Sequence, residues 1–149
     1  MVILTPSPIA IKEIHDTFVR RYGVAGYMCE GMVEGCLERS MTFVYEFQPF
    51  PKLFLKAAAL LYSIIVFHPF VDANKRTAFE STRILLRMNG YKLKVTASEG
   101  VAFTKSIAEL KVTQVFDCQV AKTIFKKRCR VYNSKLPLEV HPSQLFQDL

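Results

Sequence analysis

Between Phe67 and Phe79 the sequence reads F-H-P-F-V-D-A-N-K-R-T-A-F, setting a His, an Asp, an Asn, a Lys and an Arg within a few residues of one another. An imidazole such as that of His68 can take the proton of an attacking hydroxyl at neutral pH. A carboxylate such as Asp72 beside bound phosphates is the usual holder of a Mg²⁺ ion that keeps several waters. Asp72 also has the side chain of a helix N-cap, and both roles are open to it. Asn74, Lys75 and Arg76 fall where a helix begins, and a helix start offers unpaired N–H groups and the positive end of its dipole. Cations in a first turn are unfavourable unless an anion lies among them, so Lys75 and Arg76 point to a polyphosphate. Together the residues describe phosphoryl or nucleotidyl transfer, which depends mainly on positioning and charge neutralisation.

Helices must hold this segment at both ends. Upstream, residues from Lys52 to Phe67 are polar at little more than Lys52, Lys56 and Ser63, so this helix is apolar nearly all round and belongs at the centre of the fold. Pro69 disfavours the α conformation at His68 and ends the helix there. Downstream, helical spacing runs from Asn74 through Ala78, Thr82, Leu85 and Met88 to Asn89, with Gly90 as the stop.

Earlier in the chain, Ile11, Ile14, Phe18 and Tyr22 share one helix face behind a Ser7 N-cap and Pro8, with Gly23 as the stop. A second run spans about Glu30 to Tyr45. Phe43 to Pro51 alternates loosely and ends in prolines, which predicts a loop or short hairpin. Later, Ser98 is expected to cap a helix reaching about Leu110, and Thr113 one from about Gln114 to Cys129 with a basic end at Lys126 to Arg130.

The chain has 149 residues, 50% of them hydrophobic and 22% charged, with six Gly and seven Pro. That composition excludes disordered and collagen-like classes and suits one domain. Its N-terminus lacks a basic n-region and a long apolar run, and Ala57 to Phe67 is too short to span a bilayer, so a cytoplasmic protein is expected. The four cysteines have no C-x-x-C spacing and read as reduced thiols. A formal charge of +7 favours an acidic protein, a phosphate-bearing ligand or nucleic acid as partner.

His68-Pro-Phe-Val-Asp-Ala-Asn-Lys-Arg76 resembles the signature H-x-F-x-[D/E]-[A/G]-N-[K/G]-R of the Fic/Doc (Fido) family, and the likeness extends over roughly Ile11 to Arg130. The resemblance implies an all-α helical bundle with a small β-hairpin flap, a Fido domain over 1–130 and a tail over 131–149. It implies His68 as general base, Asp72 as Mg²⁺ ligand, Asn74, Lys75 and Arg76 as triphosphate binders for ATP, and Phe70 as a core anchor. Tyr45 and Glu46 would lie in the flap against which a target segment aligns by strand-like pairing.

Two positions separate the branches of this family. Adenylyltransferase members commonly have Gly where Lys75 stands and a second Arg where Phe79 stands; both residues here resemble the Doc type. That implies transfer of the γ-phosphate to a Ser or Thr hydroxyl of a target protein, with AMP transfer by the same site as the alternative. Physically, Lys75 adds bulk and charge where Gly would let a nucleotide approach the backbone closely. A catalytically silent module that holds nucleotide or antitoxin is the rival of another class. A basic helical nucleic-acid binder is less favoured, because the charge run at Lys126 to Arg130 suits a solvated helix end. The inhibitory [S/T]-x-x-x-E-[G/N] element of many members is not found, since Val95 stands where Ser or Thr is needed before Glu99-Gly100. The resemblance therefore implies a separate antitoxin polypeptide as the restraint, and by analogy a translation elongation factor as the target.

Overall fold

The structure is a computed structural model and describes residues 2–21, 23–41, 52–109 and 129–131. Helix α1 (Pro8–Arg21) starts where Ser7 Oγ accepts the Ala10 N–H at 3.1 Å, with Pro8 at its first position. Helix α2 (Met32–Met41) starts two residues later than the apolar spacing suggests, because Glu30 and Gly31 form a turn before it. Helix α3 (Leu53–Phe67) is buried at every residue from Leu55 to Ile65, as its all-round apolar character requires. It packs between α2 and helix α4 (Asn74–Met88), and α1 crosses α4. The core joins Leu60, Leu61, Ile64 and Ile65 of α3 to Ala78, Leu85 and Leu86 of α4, with Val33 and Cys36 from α2 and Ile11 from α1. Burying each such Leu or Ile contributes about 1.5–3 kcal/mol. Arg39 ties α2 to α3, donating to Ser63 Oγ at 3.1 Å with its guanidinium 5.3 Å from the Phe67 ring.

The all-α expectation holds, with a small addition. After α4 the chain turns through Asn89 and Gly90, the latter at φ +86°, into strand β1 (Tyr91–Leu93). Strand β2 (Cys129–Val131) pairs with it antiparallel, Tyr91 opposite Val131 and Leu93 opposite Cys129. Cys129 and Arg130, expected at the end of a helix, are therefore in a strand. Three residues are too few for alternation to register, and the partner that fixes their conformation lies far away in sequence.

Helix α5 (Ala97–Glu109) corrects another expectation, since its cap is Thr96 rather than Ser98. Thr96 Oγ1 accepts the Glu99 N–H at 3.3 Å while Glu99 Oε2 accepts the Thr96 N–H at 3.0 Å, a reciprocal capping box. Among the described residues no helix is long and apolar enough to cross a membrane. The expected flap with Tyr45 and Glu46, the helix begun at Thr113 and the tail after Val131 lie outside the described residues.

Candidate active site

The loop between α3 and α4 begins and ends in left-handed backbone. His68 has φ 48° and ψ 62°, its N–H still donating to the Ile64 carbonyl at 3.3 Å, and Ala73 has φ 62°. Each non-glycine residue held there costs about 1–2 kcal/mol, so the surroundings must fix the loop. Phe70 supplies the anchor: it is 1% exposed and its ring stacks on His15 at 4.0 Å, with Tyr27 tilted against it at 5.6 Å. Tyr27 and Phe70 also form an isolated antiparallel bridge, in which the Met28 N–H donates to the Pro69 carbonyl at 2.9 Å and the Val71 N–H to the Gly26 carbonyl at 3.0 Å.

Asn74 closes the loop from the other end. Its Oδ1 accepts the Phe70 N–H at 3.0 Å and its Nδ2 donates to the Phe70 carbonyl at 2.8 Å. Expected among the phosphate binders, its side chain is thus engaged with backbone, and what Asn74 offers an anion is its place at the start of α4.

That start has no side-chain cap and no acidic residue in its first turn. Asp72 does not cap it either, because Oδ1 accepts the N–H of Ala73, just before the helix, at 2.6 Å. Oδ2 accepts the Val24 N–H at 3.2 Å. The Ala73 N–H first, then that of Val24, hold the Asp72 carboxyl below its ordinary pKa, and the charges of Arg76 and His15 act in the same direction. Lys75 and Arg76 are exposed in the first turn, the Arg76 guanidinium 5.5 Å from the Phe18 ring.

These groups share a cleft of about 750 Å³, within the range of small-molecule sites. His68, Asp72, Asn74, Lys75 and Arg76 line it on the loop side, while Thr96, Gly100, Val101 and Thr104 form a wall from the α5 side. Farther along α4, Arg83 donates to Glu80 Oε1 through Nε at 3.2 Å and Nη2 at 2.8 Å. Burial pushes the Glu80 carboxyl above its ordinary pKa, against the pull of Arg83.

Five of the expected residues are therefore brought to one cleft, Phe70 lies beneath it, and Tyr45 and Glu46 fall outside the described residues. Sequence reasoning missed the turn at Gly23 and Val24, the stacking role of His15, the Glu80 and Arg83 pair, and the α5 wall. Gly23, read only as a helix stop, was the available signal: a Cβ on it would stand 2.7 Å from Asp72 Oδ2.

Comparison with known proteins finds relatives of this sequence. A family model described as the Fic/DOC family matches residues 6–86. "Protein kinase doc" of Escherichia phage P1 is 32% identical over 113 residues, covering 69% of this chain and 89% of that protein. "Toxin Doc" of Mycolicibacterium smegmatis (strain ATCC 700084 / mc(2)155) is 40% identical over 63 residues, 42% of this chain, and the match spans about half of that relative, 48% of its length.

Proposed function

The chain belongs to the Fic/DOC family, and on that premise we propose that it is a transferase that moves the γ-phosphate of ATP, with Mg²⁺, to a Ser or Thr hydroxyl of a target protein. The observation that carries the reading is the uncapped start of α4 opening, beside Asp72, on the cleft that His68 lines.

The first N–H groups of α4, with Lys75 and Arg76, would bind the triphosphate. Asp72 fits a divalent cation: its pKa is lowered, each oxygen accepts one N–H and retains a further lone pair, and it stands at the cleft. Among the described residues no three His, Cys, Asp or Glu come together, so the ion would have Asp72, phosphate oxygens and water as ligands, as Mg²⁺ commonly does. When bound, the ion neutralises phosphate charge. His68 takes the proton as the target oxygen bonds to the γ-phosphorus. The bond from that phosphorus to the β,γ-bridging oxygen breaks, ADP leaves with the electron pair, and His68 returns its proton to solvent. The name of the phage relative, a protein kinase, supports phosphate over AMP transfer, and that of the mycobacterial relative supports action as a toxin. A separate antitoxin would restrain it, and a translation elongation factor would be its target.

The test is incubation with Mg²⁺, cell extract and ATP labelled at the α- or γ-phosphate, beside a His68→Ala variant. Label from the γ position alone, lost in the variant, is the expected result. Label from the α position would make the protein an adenylyltransferase. Neither, from folded protein freed of partners, would leave a binding module.

A further inference from the structure

The cleft continues along α4 beyond the helix start. Phe79, Glu80 and Arg83 line it together with Lys75 and Arg76, a stripe of the helix at three- and four-residue intervals. Glu80 and Arg83 follow Arg76 by four and seven residues, about 6 and 10 Å farther along the axis. Neither takes part in the transfer step.

Glu80 is 2% exposed and yet borders the open cleft. Nε and Nη2 of Arg83 both donate to its Oε1, and among the described residues no donor reaches Oε2. A carboxylate removed from water with one oxygen unmatched gains from a hydroxyl that donates to it. The remaining N–H groups of Arg83 can donate to a hydroxyl oxygen beside it. Acceptor and donor side by side match a vicinal diol. The pair is formally neutral, so it has little to offer a further phosphate.

We infer that Glu80 and Arg83 read the 2′- and 3′-hydroxyls of a ribonucleotide and so select it over its deoxy counterparts. This rests on the transfer reading above: with the γ-phosphate beside His68 at the start of α4, the nucleotide runs along α4 and brings its ribose to Glu80. Phe79, Val95 and Val101 continue the cleft there as an apolar wall suited to a base. The opposite orientation would set the γ-phosphate against the Glu80 carboxylate. An acidic side chain reads ribose hydroxyls in the same way in dinucleotide sites.

The test titrates folded protein calorimetrically, in the presence of Mg²⁺, with ATP, 2′,3′-dideoxyATP or tripolyphosphate. ATP and dideoxyATP share base and phosphates, so the ratio of their affinities isolates the diol. The wild type should bind ATP about tenfold or more tightly than dideoxyATP. That ratio should fall to about threefold or less in Glu80→Gln, which keeps the shape of the side chain. It should approach unity in Glu80→Met with Arg83→Met, which removes the buried pair without leaving either member alone. A ratio near unity in the wild type, a wild-type ratio retained in both variants, or an equal loss in the variants for all three ligands would overturn the inference. A wild-type preference that the variants lose, without any transfer of label from ATP, would support the ribose site and count against the transfer reading. Binding of neither nucleotide by the wild type would overturn both.

Discussion

Oδ2 of Asp72 accepts the Val24 N–H at 3.2 Å, tying the loop before α4 to the turn after α1, 48 residues earlier in the chain. Together with the Ala73 N–H at Oδ1, this bond sets the direction in which the carboxylate faces the cleft. A carboxylate at the cleft is thus oriented by backbone that carries no reactive group of its own.

Gly23 is the position most sensitive to this arrangement. Its φ is +144° and an added Cβ would stand 2.7 Å from Asp72 Oδ2, so Gly23→Ala must move either the turn or the carboxylate. The variant should lose about 1–3 kcal/mol of stability and bind Mg²⁺ with ATP more weakly. Urea unfolding and calorimetric titration would check it; wild-type values in both would show that the Asp72 contact is dispensable.

Asn74→Ala would leave the buried N–H and C=O of Phe70 without their partners. The expected loss is about 1–3 kcal/mol for each unsatisfied group, seen as a lower urea midpoint at unchanged slope. A variant that kept full stability and lost only nucleotide affinity would return the Asn74 side chain to the list of phosphate ligands.

The Asp72 carboxyl is held low by the N–H groups of Ala73 and Val24, so its contribution has a definite pH sign. A group whose native pKa lies below its unfolded value stabilises the fold above the unfolded value, about 3.9 for Asp, and loses that effect as pH falls toward the native pKa. The stability difference between wild type and Asp72→Asn should therefore be constant near neutrality and shrink below about pH 4. A difference that grew on acidification would contradict the assignment.

Burial pushes the Cys36 thiol up to about 11, whereas Cys29 is exposed. Since the thiolate is the reactive form, brief iodoacetamide treatment of native protein followed by peptide mapping should find Cys29 modified and Cys36 intact. Comparable modification of Cys36 would mean that α2 opens readily from α3.

Much of the scaffold was legible because its signals are local. Ser7 and Pro8 mark a helix start through their own side chains, Pro69 restricts His68, Gly90 takes the left-handed turn, and the apolar run of α3 has nowhere to go but the centre. The same is true of the motif, whose residues are close enough in sequence that a single loop and helix start bring them together. Thr96 and Glu99 were equally readable as a capping box, but Ser98 competes as a cap, and only the backbone's actual entry into α5 separates them. What sequence alone could not decide depends on where distant segments meet. Asn74 turns inward because the loop curls back over it, Val24 reaches Asp72 because α1 crosses α4, and β1 and β2 exist because each supplies the other's hydrogen bonds. Residue type and spacing therefore determined which groups could act; tertiary packing decided which of them face the cleft and which hold it in shape, because a hydrogen bond depends on position in space and direction rather than on order along the chain.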